Sequence, residues 1–244
     1  MSVILKCGSN TKTAFFMCSG AEISGEGKEM TDVKKTELVI IIDKSGSMHG
    51  LEEDTIGGVN AMLDGQKKLK GSACKVTTVL FDSHMKVLHD RLDIEEIEAL
   101  TGADYKAGGT TALIDALGET ITHISDIHKY ARKEDVPEKT IFFVTTDGME
   151  NASHKFTSAE VKKLIEKKQE ENGWEFIFAA ANIDAVETGA RYGFKEGMSF
   201  NYVHDSVGTQ TMYECASEYI ECARSGRAAA GWKKKAEADF KKRG

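Results

Sequence analysis

The 244 residues carry 41% hydrophobic and 29% charged side chains, an ordinary balance for a globular chain long enough to bury one sizeable core. The formal net charge of −7 is uneven: Arg224–Gly244 holds eight Lys/Arg against two Asp/Glu, which leaves −13 on the remainder and disfavours nucleic acid as a main partner. No apolar run approaches the roughly 20 residues that span a bilayer.

No apolar leader follows Met1, and a single proline, Pro137, argues against Pro-rich linkers. The five cysteines are Cys7, Cys18, Cys74, Cys215 and Cys222. Their number is odd and no CxxC occurs, so they read as free thiols in a reducing, cytoplasmic setting.

Residues 1–36 are rich in Ser, Gly, Thr and Lys without a sustained period, and read as an extension outside the fold. A second reading starts the chain at Met30. Gly25-Glu26-Gly27-Lys28-Glu29 requires purine-dominated codons directly before that methionine, as a bacterial ribosome-binding site would.

From Glu37 the pattern becomes regular. Leu38–Ile42 is a continuous apolar run, β-branched from Val39 on, suited to a strand buried on both faces of a parallel sheet. A helix is expected over Glu52–Leu69, weak at Gly57-Gly58 unless something packs closely there. Val76–Phe81 and Met85–Leu92 read as strands joined by a short turn, hence antiparallel. Thr111–Lys133 places Leu113, Leu117, Ile121 and Ile124 on one helical face. Thr140–Thr145 is another apolar strand.

Thr157 with Glu160 forms a capping box that opens a helix to about Glu171, buried through Val161, Leu164 and Ile165. Trp174–Ala181 reads as a strand, Asp184–Tyr192 as a short helix, Met198–Val203 as the last strand and Val207–Ala223 as the last long helix. Gly231–Gly244 is a basic stretch with Trp232 and Phe240 embedded. This alternation predicts an α/β fold: a doubly wound, mostly parallel central sheet with one antiparallel edge strand and helices on both faces. The domain is expected over 37–225, with 226–244 as a basic C-terminal tail.

In such sheets ligands bind where strand order reverses, outside the carboxyl ends of the strands. After Leu38–Ile42 comes Asp43-Lys44-Ser45-Gly46-Ser47. After Thr140–Thr145 comes Thr146-Asp147-Gly148. Before the Leu113 helix lies Gly108-Gly109-Thr110-Thr111. Two acids and several hydroxyls thus meet at one sheet edge, an oxygen-only set that suits Mg²⁺ or Mn²⁺ rather than zinc. Lys44 and His49 stand at the rim. Asn182 and Asp184 follow a strand on the same edge. Asp82 and Asp115 read as structural, and the remaining histidines show no ligand spacing.

Asp43-x-Ser45-x-Ser47, followed in order by Thr110 and Asp147, resembles the metal-ion-dependent adhesion site of von Willebrand factor A domains. Phe81-Asp82-Ser83, Gly-Gly-Thr before a helix and Thr-Asp-Gly after a strand add to the likeness, which covers about 37–225. The resemblance implies a Rossmann-like fold and a metal set of Asp43, Ser45, Ser47, Thr110 and Asp147. Thr111 is the alternative to Thr110. It also implies direct contacts from the hydroxyls and water-mediated contacts from the two aspartates.

An Asp or Glu of a protein partner would complete the shell, within a multi-protein complex as in similar intracellular proteins. On this reading the chain is a monomeric binding module, not an enzyme, and needs no membrane. The competing reading is a Mg²⁺-dependent phosphoryl-transfer hydrolase with Asp43 as nucleophile. Such enzymes place a second acid two residues on, where this chain has Ser45.

Overall fold

The computed structural model describes residues 34–244. The expectations for residues 1–33, including a start at Met30 and the state of Cys7 and Cys18, lie outside the described residues.

The elements follow in the order β1 (Lys34–Asp43), α1 (Glu52–Lys67), β2 (Ser72–Phe81), β3 (Met85–Asp93), α2 (Leu113–Tyr130), β4 (Lys139–Thr146), α3 (Ser158–Asn172), β5 (Glu175–Ala180), α4 (Ala185–Tyr192), β6 (Ser199–Asn201), α5 (Ser206–Arg224) and α6 (Lys234–Arg243). The sheet has six strands in the order β3-β2-β1-β4-β5-β6. Every neighbouring pair is parallel except β2 with β3, which supplies the antiparallel edge. This is the expected doubly wound arrangement. Strand order reverses between β1 and β4, so Asp43 and Thr146 end side by side.

Period-two alternation divides the core. Leu38, Ile40 and Ile42 of β1 face Val59, Met62 and Leu63 of α1 and Tyr213, Ala216 and Ile220 of α5. Val39 and Ile41 face Leu113 and Leu117 of α2 and Val161 and Ile165 of α3. Both faces of β1 are therefore covered, and it is buried from Thr36 onward. That is why its sequence is a continuous apolar run.

One buried acid stands directly before this run. Glu37, fully buried, accepts from Arg91 Nε at 3.0 and 2.9 Å and lies 3.2 Å from His128 Nε2. Arg91 takes a positive φ of 51° at an irregular stretch of the β2–β3 pairing, so the edge strand turns a cation over the sheet.

The stretch expected as a basic tail is packed. Trp232 is buried, its ring 5.2 Å from that of Phe200 at 90° and 5.0 Å from that of Tyr219. Ala236 joins the same core, and Lys235 and Arg243 reach Glu214 and Asp205 of the domain. Two apolar anchors in a run of lysines are enough to seat a helix whose charges point outward.

Arg224, counted with that tail, is also buried. It donates to the Gln66 carbonyl at 2.8 Å, to Gln66 Oε1 at 3.1 Å and to the Ser72 carbonyl at 3.1 Å. A cation thus meets the carbonyl end of α1, where the helix carries partial negative charge.

The last strand is shorter than Met198–Val203. Asn201 turns its amide to the carbonyls of Ala180 and Ile183, at 3.2 and 2.5 Å, and pairing ends there. No helix among the described residues is long and apolar enough to cross a membrane.

Candidate metal centre

Asp43 closes β1 and is fully buried. Its Oδ1 accepts the Ser45 N–H at 2.7 Å, and its Oδ2 accepts the Thr146 hydroxyl at 2.6 Å. Its main-chain carbonyl accepts the Tyr105 hydroxyl at 2.6 Å. The neighbouring loop continues the chain of contacts. Ser45 Oγ lies 3.0 Å from Ser47 Oγ, and Ser47 donates to Asp147 Oδ1 at 2.5 Å. Asp147 is buried as well, and its Oδ2 has no hydrogen-bond partner.

The structure therefore brings Asp43, Ser45, Ser47 and Asp147 together. Thr110, the next expected ligand, is exposed. Thr111, its alternative, is buried. A Cβ placed on Gly148 would stand 3.4 Å from Ser47 Oγ and 3.9 Å from Thr111 Oγ1, so both hydroxyls lie close to Gly148.

The turn before them explains the choice. Gly109 takes φ +76°, a conformation that favours glycine, and a Cβ there would crowd Ser83 and Asp82 at 3.1 and 3.3 Å; the chain leaves it with Thr110 outward. Counting from the glycines favoured Thr110. Helical phase points instead to Thr111, which directly precedes the buried stretch Ala112–Ile114.

Three loops are laced into one rigid unit. Gly46 N–H donates to the Gly109 carbonyl at 3.1 Å, and Gly108 N–H to the Lys44 carbonyl at 2.8 Å. Lys44 forms an ion pair with Asp82, whose own carbonyl accepts Ala112 N–H at 2.8 Å. Burial works against the Asp82 anion, but Lys44 and the His84 amide hold its carboxyl below the usual range.

On the β4 side, Glu150 accepts Ile114 N–H at 2.9 Å and Ser153 N–H at 2.7 Å. Asp115 gathers the N–H groups of His154, Lys155 and Phe156 at 2.7, 2.9 and 2.9 Å. Asp82 and Asp115 thus hold loops. Of the rim residues, Lys44 is occupied by Asp82, His49 is exposed beside Glu52, and Met149 is exposed next to Asp147. Asp184 caps α4, while Asn182, at a positive φ of 57°, donates to the Asp147 carbonyl at 3.2 Å.

Sequence reasoning missed Thr146, Tyr105, Asn151 and His204. Thr146 was visible as the neighbour of Asp147. The other three come from separate loops and carry no motif.

The electrostatics fit a cation. Burial raises the Asp43 carboxyl above its ordinary value against the Thr146 and Ser45 hydrogen bonds, and nearby Asp147 adds to the rise. Burial raises Asp147 in the same way against Ser47. Neither has a Lys or Arg partner among the described residues. Two buried carboxylates held by neutral donors are costly without a counter-charge. No group of three or more His, Cys, Asp or Glu side chains gathers as a metal cage among the described residues. The donor set is instead two carboxylates and three hydroxyls, all hard oxygens, which suits a small divalent ion.

No family model matches the chain, and no curated protein matches it. Solved structures do. The PilB minor pilin of Streptococcus sanguinis is 11% identical with a TM-score of 0.56, over 77% of this chain and 61% of that one. Proximal thread matrix protein 1 of the mussel byssus is 11% identical with a TM-score of 0.51, over 79% and 46%. A von Willebrand factor type A protein of Catenulispora acidiphila is 13% identical with a TM-score of 0.50, over 77% and 43%. The chain therefore spans about three fifths or less of the length of these structures. At such identities the likeness concerns the fold: this is the Rossmann-like fold of von Willebrand factor A domains.

Proposed function

We propose that the chain is a divalent-metal-dependent protein-interaction module. The observation that carries this reading is the pair of buried carboxylates, Asp43 and Asp147, at the strand-order reversal, with Asp147 Oδ2 unpartnered. The fold of the matched von Willebrand factor type A structure agrees with it.

Asp43, Ser45, Ser47, Thr111 and Asp147 would hold Mg²⁺, or Mn²⁺ in its place. Thr111 is taken in place of Thr110 because it is buried and its hydroxyl, like that of Ser47, lies beside Gly148. When bound, the ion supplies a positive charge that a partner's Asp or Glu can reach. Ser45, Ser47 and Thr111 contribute neutral oxygens, so the protein quenches only part of that charge. Asp43 and Asp147 fix the serines through the hydrogen bonds already described. The laced loops keep the oxygens in place before a partner arrives, which lowers the ordering cost of binding.

The same burial speaks against Asp43 as a nucleophile. Both its carboxylate oxygens are engaged, by Ser45 N–H and the Thr146 hydroxyl, and none of its surface is exposed.

The test is a calorimetric titration of Mg²⁺ and Mn²⁺ into wild type and into a Ser45→Ala/Ser47→Ala double variant. Binding in the wild type that the double variant loses supports the site. A partner captured in Mg²⁺, released by EDTA and absent with Asp43→Ala would support the module. No heat and no rise in thermal midpoint at millimolar metal sinks the reading.

A further inference from the structure

The geometry points to His204 as the residue that positions the Asp147 carboxylate for the ion. This rests on the metal reading above and adds a residue to it. His204 lies in the loop between β6 and α5. Its Nδ1 is 3.4 Å from Asp147 Oδ2, and both atoms are buried without a hydrogen-bond partner. Two orphaned polar atoms that face each other are rare in a folded interior. Here a small turn of either side chain pairs them. The Nδ1 tautomer donates, and Oδ2 accepts.

The backbone around His204 is fixed on both sides. Tyr202 N–H donates to the Ala180 carbonyl at 3.0 Å. Asp205 N–H donates to the Val203 carbonyl at 2.8 Å, and the Asp205 side chain caps α5 by accepting Gly208 N–H at 2.7 Å. The ring is therefore delivered to Asp147 from a rigid corner. Its 28% side-chain exposure belongs to the other ring atoms, because Nδ1 itself is covered.

A carboxylate turns freely about one bond until both its oxygens are held. Ser47 holds Asp147 Oδ1 at 2.5 Å, Asn182 holds the Asp147 main-chain carbonyl at 3.2 Å, and His204 faces the remaining oxygen. With that oxygen taken, Asp147 presents one orientation towards Ser47 and Thr111. Outer partners of this kind set the affinity of a metal site; losing one typically weakens binding roughly 10–100-fold.

Two measurements on the full chain test this. The first uses metal-free protein and long-range ¹H–¹⁵N spectra of the histidine rings, with His204→Ala to assign the signal. The expected result is a proton on Nδ1 whose resonance shifts in Asp147→Asn. A His204 ring with its proton on Nε2, unmoved by Asp147→Asn, overturns the assignment whatever the metal does.

The second titrates Mn²⁺ into wild type, His204→Ala and His204→Asn, with thermal midpoints in EDTA alongside. The alanine variant should bind about tenfold more weakly or worse. The asparagine variant should recover most of the loss, since its amide N–H stands where Nδ1 does. Equal affinity in wild type and His204→Ala overturns the proposal while leaving the metal reading intact. So does a fall in midpoint in EDTA that asparagine fails to repair, which would make the ring a packing element. A wild type that binds no Mn²⁺ defeats the metal reading, and this assignment with it.

Discussion

Asn151 holds Thr111 by both of its backbone polar groups: Thr111 N–H donates to Asn151 Oδ1 at 2.9 Å, and Asn151 N–H donates to the Thr111 carbonyl at 3.0 Å. The loop after β4 is thereby tied to the loop before α2, and the Thr111 hydroxyl is kept at the site. Asn151→Ala removes one of the two bonds. It should cost about 1 kcal/mol of stability and a clearly larger fraction of Mn²⁺ affinity. Asn151→Asp keeps an acceptor for Thr111 N–H and should bind Mn²⁺ nearly as wild type does. Urea unfolding and Mn²⁺ titration on the two variants decide it. Equal metal affinity in all three proteins would show that Thr111 needs no such clamp.

The adjacent glycines of α1 should respond in opposite directions. A Cβ on Gly58 would stand 2.2 Å from Tyr213 Cδ2, whereas one on Gly57 would meet nothing within 4 Å. Gly58→Ala must push the Tyr213 ring and α5 away, a loss of roughly 1–3 kcal/mol. Gly57→Ala removes backbone freedom from the unfolded chain and should gain about 0.5–1 kcal/mol. Denaturant midpoints of the two variants check the signs. A stable Gly58→Ala would mean that α1 and α5 are less closely seated than their contact indicates.

That pair shows how far the sequence could be read. Two glycines in a helix announce a close approach, but only the fold says which one touches and what it touches. The strands and helices were legible because burial imposes period two on β1 and period 3.6 on α2, and the positions of Asp43 and Asp147 followed from strand ends. Thr110 and Thr111 stay alternatives in the sequence because the phase of the turn before them depends on the φ of Gly109. His204, Tyr105 and Asn151 were hidden because each reaches the site from its own loop. The seating of α6 was obscured by its lysines. Trp232 stands in that stretch, yet charge dominates its composition and the core it enters is formed by Phe200 and Tyr219 of other elements.

Asp115 offers a test by pH. Burial opposes its anion, but the N–H groups of His154, Phe156 and Lys155 outweigh it, and its carboxyl sits below the ordinary 3.8 in the fold. A lowered folded value means that the charged form stabilises the fold above that ordinary value. The contribution is then lost as pH falls from there through the folded value. Asp115→Asn has one oxygen to offer three donors and should lose roughly 1–3 kcal/mol at pH 7. The gap between wild type and variant should narrow in acid below about pH 4, where the wild-type carboxyl also takes a proton. Urea unfolding at pH 7 and pH 3 measures both. A gap that stays constant would place the loss in packing, with no part for the charge.

The two buried carboxylates, Asp43 and Asp147, lead to a reversal of stability on metal binding. Without a metal, the fold carries two buried carboxylates and no cation to meet them. Asp147→Asn removes one charge, keeps an oxygen for Ser47 and gives His204 Nδ1 an amide donor to accept from. In EDTA the variant should be at least as stable as wild type. In millimolar Mg²⁺ the wild type alone should gain, because binding to the folded state adds RT ln(1 + [L]/Kd), about 2.7 kcal/mol when the metal stands at a hundred times Kd. The order of the two midpoints should therefore cross between EDTA and Mg²⁺. If Asp147→Asn is instead less stable in both, the His204 contact already compensates the Asp147 charge in the metal-free fold, which then needs no resident cation.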